Sequence, residues 1–469
     1  GISDNYLYSE FASANYNFDR KYFIAANIRR DGASQLGANS KFGTFYGISG
    51  GWEISEEDFW KQSFFGKTFS SFKIRGSYGK VGNISGLGNY ASLSQFTSGL
   101  YGGAGTVAFA QAGNNNLGWE TSTKTDFGVN FGVLNNRITA ELAYYKNNVN
   151  GLILNVPQPP SAGLPNAIAT NIGSLYNEGF EYLISADVVR GKNFTWRASI
   201  NGAYNHNEVT SLAPGITQIL TATSGLESVN ITRPGYSIGQ LFVTRTAGVD
   251  PATGRRIFVN GAGRQVFFQH VAPAGQARFM FADGTTAPAV GSQDAVVYGN
   301  TIPRWTGGFD NTFRYKQFEL NVLFTYQLGY NIYFGSNAGL RDQRFWNNST
   351  DVLARWQKAG DVTEIPRLIF GDNISNGSSF PLDVNVFNGN FLKLRGMTFA
   401  YNLPAKYADK LKISTARFYV AGNNLAIFSK YPGPDPEVSS NGNTPGAPGV
   451  DRNTIANARS ITVGLNIGF

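Results

Sequence analysis

The chain of 469 residues carries a formal net charge of +8 and contains no cysteine; 15% of its residues are charged and 14% are aromatic. Soluble domains typically contain ~25% charged residues. Without cysteine there is no disulfide framework and no thiolate metal site, and no run of ~18 apolar residues predicts a transmembrane helix. Lysine and arginine are scattered singly along the chain, so we expect no nucleic-acid partner.

Long segments of alternating apolar and polar residues follow one another along the chain. They cover 6–18, 21–30, 42–53, 70–80, 121–133, 137–149, 177–190, 193–207, 304–316, 318–332, 391–402, 413–425 and 459–469. Each such strand would have one apolar and one polar face. Many run to ~10 residues or more, which exceeds the usual ~5–6 and matches a tilted strand that crosses a bilayer. The pattern predicts an all-β fold, a transmembrane antiparallel β-barrel with about 13 strands in this chain.

The connections between these segments alternate between short and long. The long ones are 31–41, 81–120, 150–176, 208–303, 333–390 and 426–458, and the short ones are 19–20, 134–136, 191–192, 317 and 403–412, with 54–69 of intermediate length. Transmembrane barrels have short periplasmic turns and long extracellular loops, so we expect the long connections to be extracellular. Segment 235–248 could form another strand, but that would break the alternation, and we assign it to the loop 208–303.

Two of the long connections contain local structural signals. Segment 255–268 is typical of a β-hairpin with its turn at Asn260-Gly261. Segment 350–359 predicts a short helix that ends at Gly360. We therefore expect ordered structure in these loops.

In segment 391–402, strict alternation predicts one face that contains Leu392, Leu394 and Ala400. It predicts an opposite face that contains Phe391, Lys393, Arg395, Met397, Phe399 and Tyr401. The first face, with its two leucines, is expected to contact lipid.

The following strand extends both faces. Phe418 and Val420 are predicted to contact lipid, and Arg417 is predicted to face the lumen together with Lys393 and Arg395. These three basic side chains either form a charge network with a plug or guide an anionic or polar solute through the barrel.

Aromatic residues in the long loops are weak candidates for substrate contact, because aromatic faces stack on sugar rings and peptide side chains. The candidates are Trp119, Phe267, Phe268, Tyr298, Phe345 and Trp346. Packing of the loops against one another is the favoured alternative for these side chains.

Nothing in the sequence supports catalysis. Gly235-Tyr236-Ser237-Ile238-Gly239 fits the pattern G-x-S-x-G, but no helix is predicted after Ser237, as a nucleophile elbow requires. His206 and His270 are the only histidines and do not form a metal-binding motif. We expect no enzymatic activity, no cofactor and no metal site.

Several short motifs resemble those of one protein family. The most specific stretch contains Lys393-Leu394-Arg395, Tyr401-Asn402-Leu403-Pro404, Asn423-Asn424-Leu425, Tyr431-Pro432-Gly433 and Asp435-Pro436-Glu437. Earlier motifs are Arg30-Asp31-Gly32, Gly51-Trp52-Glu53-Ile54-Ser55-Glu56-Glu57, Phe72-Lys73-Ile74-Arg75-Gly76-Ser77-Tyr78-Gly79, Leu117-Gly118-Trp119-Glu120 and Asn177-Glu178-Gly179-Phe180-Glu181. In this order they resemble the C-terminal part of the barrel of SusC/RagA-type TonB-dependent outer-membrane transporters, over essentially the whole chain.

The resemblance implies that residues 1–469 are the C-terminal portion of a plugged barrel of about 22 strands, and that the plug and the TonB box are absent from this chain. It implies active import of an oligomeric nutrient, a glycan or a peptide, across the outer membrane. The implied partners are a SusD-like surface lipoprotein, TonB acting through the missing N-terminal part, and outer-membrane lipid and lipopolysaccharide.

Phe469 ends the last alternating segment and resembles the terminal aromatic signal that the barrel-assembly machinery reads, so we expect a periplasmic C-terminus at this residue. Three alternatives to active import remain open at this point. The chain could belong to a passive porin-like channel, to the barrel component of a larger secretion or structural complex of the outer membrane, or to a soluble lectin.

Overall fold

The computed structural model describes residues 3–156, 161, 168–223, 227–344, 346–442 and 446–469. The chain divides into two compact units, Gly1–Thr217 and Gln218–Phe469. The described helices are α1 Asp58–Gln62, α2 Phe64–Thr68, α3 Gly335–Leu340 and α4 Ala405–Lys410, with short 3-10 turns at Ile54–Glu56, Ser292–Asp294, Thr350–Ala354 and Asp383–Asn385. None of the helices in these residues is both long and apolar enough to cross a membrane.

The first unit is dominated by long antiparallel strands. Its strands are β1 Leu7–Phe18, β2 Tyr22–Ala33, β3 Phe42–Glu53, β4 Phe69–Asn83, β5 Gln95–Tyr101, β6 Ala104–Gln111, β7 Glu120–Val133, β8 Ile138–Asn150, β9 Ile153–Val156, β10 Ile168–Asn171, β11 Ser174–Arg190 and β12 Phe194–Ser211. Eight of these described strands pair in the order β1-β2-β3-β4-β7-β8-β11-β12, each antiparallel to the next. Two separate hairpins, β5–β6 and β9–β10, lie in the long connections.

The second unit contains both long strands and small sheets. Its strands are β13 Ile219–Thr223, β14 Glu227–Thr232, β15 Gln240–Val243, β16 Arg245–Val249, β17 Arg256–Val259, β18 Gln265–Phe268, β19 Phe279–Met280, β20 Val296–Gly299, β21 Trp305–Tyr315, β22 Phe318–Leu328, β23 Asn331–Phe334, β24 Val386–Asn388, β25 Phe391–Asn402, β26 Thr415–Ser429, β27 Val450–Asp451 and β28 Ser460–Gly468. The long strands pair in the order β21-β22-β25-β26-β28. Sheets β13-β14-β15-β20, β16-β17-β18-β19 and β24-β23-β27 are built from the long connections.

The thirteen long strands predicted from the sequence are confirmed among the described residues, eight in the first unit and five in the second. Short and long connections alternate as predicted, so each unit has a short-turn end and a long-loop end. Segment 235–248 lies in the small sheets as β15 and most of β16, which confirms its assignment to a loop. The turn after β7 is formed by Asn135 and Asn136 with φ of 57° at both, a left-handed conformation that asparagine tolerates.

The apolar side chains of the long strands are not a core. Phe127 in the first unit, and Phe318 and Val463 in the second, are exposed. Soluble sheets bury this face, whereas a bilayer-spanning sheet presents it to lipid. The exposed apolar faces therefore agree with the transmembrane barrel fold expected from the sequence.

Buried hydrophobic clusters lie in the connections instead. In the second unit, Phe258 and Phe268 of one small sheet pack with Phe380. Arg256 is buried beside them, and its Nε donates to the carbonyl oxygen of Ser375 at 2.7 Å. Burial lowers the pKa of Arg256 to about 10, so its guanidinium remains protonated at neutral pH. These long connections are thus folded into compact structure with their own core.

A β-bulge in β25 corrects the predicted faces of that strand. Pairing with β22 shifts by one residue between Leu394 and Gly396, so no residue of β22 pairs with Arg395 across the two strands. Residues paired directly across two strands share a face. Beyond the bulge, Met397 and Phe399 therefore join the apolar face of β22, and both are exposed. The prediction that they share a face with Lys393 is wrong. It is wrong for Tyr401 as well, which pairs with Phe318, and Ala400 does not share the face of Leu392 and Leu394 because it pairs with Glu319.

Two predictions for the loops differ in detail. Segment 255–268 is the predicted hairpin β17–β18, but its turn spans five residues from Asn260 to Arg264, and the positive φ of 78° falls on Gly263. The predicted helix over 350–359 is a single 3-10 helix, Thr350–Ala354, which ends in extended structure at Arg355. Hydrogen bonds of Trp356 to Ile365 and Pro251 hold the following segment extended.

Candidate functional site

A buried charge network joins β25 to the last long connection in the second unit. Lys393 on the polar face of β25 is only 3% exposed. Its Nζ lies 2.9 Å from Oδ2 of Asp435 and 2.8 Å from Oε2 of Glu437. Arg395 donates to the other carboxylate oxygen of Glu437, and Asn457 donates to both carboxylates. Two cations and two anions thus neutralise one another at the long-loop end.

The sequence around Asp435 explains why the loop arrives at this place. Prolines at 432, 434 and 436 each fix φ near −65°, which restricts the path of the chain. The Tyr330 hydroxyl donates to the Pro436 carbonyl at 3.0 Å, and the Tyr431 hydroxyl donates to Asp451 at 2.6 Å. Burial raises the pKa of both tyrosines, so these hydroxyls remain donors. These hydrogen bonds hold the loop next to the end of β22 and join its two halves to each other.

The carboxylates of the network are held in their ionised form. Burial alone raises the pKa of Asp435, but the hydrogen bond from Lys393 and those from nearby backbone groups outweigh it, and the net pKa lies below the usual value. The same balance, with Arg395 as the leading donor, lowers the pKa of Glu437. The network is consequently charged at neutral pH and depends on its own members for charge compensation.

The third predicted basic residue belongs to a different cluster. Arg417 of β26 donates to Glu319 of β22 at 3.1 Å, and Arg314 of β21 donates to the same carboxylate at 2.8 Å. Lys393 and Arg395 are therefore brought together as expected, whereas Arg417 is not part of their network.

The first unit has a polar site that the sequence analysis did not single out. On the polar face of β4, Nη1 of Arg75 lies 2.7 Å from Oδ1 of Asp126, and Nζ of Lys73 lies 4.2 Å from the ring centre of Phe23. These residues line a concave pocket of about 360 Å³ beside Gly50. Alternation along segment 70–80 would have placed Lys73 and Arg75 on one face, but it could not identify their partners.

The aromatic candidates in the loops fall into two groups. Trp119 packs edge-on against Phe45 at 5.2 Å, with its Nε1 donating to the Lys41 carbonyl. Phe268 is 1% exposed within the core of the small sheets, and its neighbour Phe267 is partly buried. Trp119 and Phe268 therefore pack against neighbouring side chains, whereas Phe267 keeps part of its surface accessible.

Two other candidates are more accessible. Tyr298 is 45% exposed and Trp346 is 53% exposed. The Arg344 guanidinium lies 5.7 Å from the Trp346 ring, a cation–π contact that leaves much of the indole uncovered. Phe345 lies outside the described residues. Phe469 follows the end of β28 and is 96% exposed, and its role in assembly stays a prediction.

Comparison with known proteins identifies the family. Residues 2–425 match the family model described as TonB dependent receptor-like, beta-barrel. A TonB-dependent receptor of Formosa agariphila is 29% identical over 100% of this chain and 46% of its own length. The TonB-dependent receptor SusC of Bacteroides thetaiotaomicron is 26% identical over 99% of this chain and 44% of its own length.

A solved structure of the RagAB peptide transporter is similar throughout. It shares 25% identity with a TM-score of 0.82, and the match covers 99% of this chain and 48% of that one. The chain thus spans about half the length of the relatives that it matches. The resemblance to SusC/RagA-type transporters is confirmed, and the chain belongs to the TonB-dependent receptor-like β-barrel family.

Proposed function

We propose that the full-length protein imports an oligomeric nutrient across the outer membrane by TonB-dependent active transport. The match of residues 2–425 to the receptor barrel family carries this proposal. Similarity to SusC and to the RagAB peptide transporter supports a glycan or a peptide as the imported molecule. This chain would contribute part of the barrel wall and the loops at its long-loop end.

The proposed orientation puts the long-loop end outside the cell and the C-terminus in the periplasm. Its support is the alternation of short turns with long connections, the arrangement of outer-membrane barrels. The folded small sheets of the second unit would then stand at the extracellular mouth, where a nutrient arrives and where a SusD-like surface lipoprotein would meet the barrel.

Substrate contact at this mouth would fall to Tyr298 and Trp346. Both are exposed in long connections, and an exposed aromatic face stacks on a sugar ring or on a peptide side chain. The ion-paired residues Lys393 and Arg395 would shape the polar wall beneath them, since their charges are already compensated by Asp435 and Glu437.

Deleting the gene for TonB tests the transport mechanism. Uptake of a labelled nutrient by cells that express the full-length protein should fall to the level of cells that lack it, and return when TonB is restored. Uptake that continues undiminished without TonB would overturn active import and favour a passive channel. Uptake that is the same in cells with and without the full-length protein would favour a structural role.

The class of nutrient is tested by competition. Unlabelled oligosaccharide mixtures and unlabelled oligopeptide mixtures should differ in their ability to reduce uptake, and Trp346→Ala should reduce the affinity for the effective class. Equal competition by both, or by neither, would contradict recognition of one oligomer class by these loops.

A further inference from the structure

The connection between β3 and β4 forms an aromatic projection at the short-turn end of the first unit. Residues 54–69 fold into a 3-10 turn and the helices α1 and α2. Phe59, Phe64 and Phe65 are all largely exposed, with Phe64 at 78%. We name residues 54–69 the aromatic hook. Three exposed phenylalanines in sixteen residues form an apolar surface patch, and such patches mark sites of contact with a membrane or with another protein.

The hook is continuous with the apolar face of the long strands. The Trp60 ring stacks on Phe72 of β4 with ring centres 4.9 Å apart. Phe69 meets Phe131 of β7 edge-on at 5.6 Å. Phe72 pairs with Phe131 on the face that exposes Phe127 further along β7. The hook therefore extends the lipid-facing side of the sheet, and its surface is on the opposite side of β4 from Lys73 and Arg75.

Further aromatic contacts connect the hook with the neighbouring strands β3, β2 and β1. Phe59 lies 6.4 Å from Trp52 of β3, which stacks on Tyr22 of β2 at 6.2 Å, and Tyr22 lies 6.4 Å from Phe18 of β1. A belt of rings from β1 to β7 thus lies at one level of the sheet, with the hook projecting from it.

Polar contacts fix the hook in place. Glu57 accepts hydrogen bonds from the Tyr22 hydroxyl at 2.6 Å and from Trp52 Nε1 at 3.1 Å, and its other oxygen lies 3.3 Å from Nζ of Lys21. The hydrogen bond from Tyr22, with that from Trp52, holds the pKa of Glu57 below its ordinary value. The Gly-Trp-Glu-Ile-Ser-Glu-Glu motif at 51–57 thereby sets the direction in which the phenylalanines project.

We propose that the aromatic hook is a membrane-interface anchor that seats Phe59, Phe64 and Phe65 in the glycerol and upper acyl region of the lipid leaflet at the short-turn end. Interfacial amphipathic segments bury phenylalanine at the boundary between headgroups and acyl chains while their charged side chains stay on the polar side. Lys67 on α2 is exposed and has no carboxylate within ion-pair distance among the described residues, so its ammonium can reach lipid phosphate. Continuity with the lipid-facing sheet selects lipid over a protein partner as the occupant.

The anchor depends on the transmembrane fold and not on TonB or on the nature of the nutrient. Its failure would therefore leave the proposed import unaffected, and loss of import would not bear on the anchor.

Site-specific labelling of the full-length protein tests the anchor. The chain contains no cysteine, so Phe64→Cys provides one labelling position here, in a background without reactive cysteines elsewhere. A bimane label is attached, and the protein is reconstituted in phosphatidylcholine vesicles that contain doxyl lipid with the nitroxide at a shallow or a deep acyl position. Val362→Cys, at a 91% exposed apolar residue in a long connection, is the matched control.

We expect shallow doxyl lipid to quench the label at position 64 at least twofold more than the label at position 362. We also expect shallow doxyl lipid to quench the label at position 64 more than deep doxyl lipid does. Iodide should quench position 362 at least threefold more than position 64. Equal iodide quenching at both positions would show that the hook lies in water and overturn the proposal. A label at position 64 that neither quencher reaches would show a protein occupant and overturn it as well. Heat-modifiable migration in gels verifies that both labelled proteins are folded.

Discussion

Replacing Lys393 with methionine is expected to release the last long connection from β25. The substitution keeps an unbranched side chain of similar length and removes the ammonium that lies within 3 Å of Asp435 and Glu437. Both carboxylates would then be left with Arg395 as the only nearby cation of the network. The loop should open far more often while the strands stay paired.

The magnitude follows from the burial of the network. Removing one member of a buried ion pair costs ~3–5 kcal/mol, because the other charge is left uncompensated. Hydrogen bonds from Asn457 to both carboxylates persist, so the lower end of about 3 kcal/mol applies here. Since 1.4 kcal/mol corresponds to a factor of ten, the opening equilibrium should rise about 100-fold.

Hydrogen exchange measured by mass spectrometry on peptides from 426–442 of the full-length protein reports this opening. Lys430→Met is the matched control, because Lys430 is exposed and has no ion-pair partner among the described residues. A change at such a surface position should stay within ~0.5 kcal/mol. An increase in exchange below threefold for Lys393→Met, or an equal increase in the control, would refute the role assigned to the network.

The effect should also depend on pH, with a defined sign. The folded-state pKa values of Asp435 and Glu437 lie below their usual values. The stabilisation is therefore complete above the unfolded values of ~3.9 and ~4.3 and is lost as pH falls through the folded values. Wild type and Lys393→Met should converge in acid and differ fully at neutral pH.

Three further predictions concern packing, binding and assembly. Phe268→Ala should destabilise the small sheets by ~3–5 kcal/mol in denaturant unfolding. Trp346→Ala should leave stability within ~0.5 kcal/mol and weaken nutrient binding in calorimetry. The reverse pattern would contradict the assignment of Phe268 to a core and of Trp346 to an exposed surface. Phe469→Asp should reduce the heat-modifiable barrel recovered from outer membranes, and normal recovery would exclude an assembly signal there. Gly82→Val should lower the free energy of unfolding by ~1–3 kcal/mol, because an added Cβ would lie 2.2 Å from the ring of Phe45 on β3. Gly105→Val should lower it far less, because an added Cβ there has nothing within 4 Å. Equal losses for the two variants would show that the ring moves aside.

The long strands could be predicted from the sequence because their pattern has one period and one cause. A strand with lipid on one side and polar groups on the other must alternate, and thirteen segments do so for most of their length. The bulge at Arg395 could not be predicted, since Lys393, Leu394 and Arg395 alternate regularly and Gly396, which follows, has no side chain to mark a face. One unpaired residue was enough to place Met397 and Phe399 on the wrong face.

The candidate site was predictable only in part, because alternation along a strand indicates which face a residue is on but not what it contacts. Alternation placed Lys393 and Arg395 on one polar face, and both contact Glu437. Periodicity, however, contains no information on contacts 42 residues away with Asp435 and Glu437. Likewise, exposure in a loop could not be read from composition, so Phe268 and Trp346 appeared equivalent although one is in a core and the other is in solvent.

The bulges in adjacent strands restrict how this part of the protein can change in length. Two successive rows of residues pair across β22, β25 and β26. From one row to the next, the chain advances by one residue in β22, by two in β25 and by three in β26. Asn424, with φ of 53°, lies in the longest of these paths. Deleting it alone would move Phe428 to the other side of the sheet. A change in the length of one of these strands therefore needs a matching change in its neighbours if the apolar and polar sides of the sheet are to be kept.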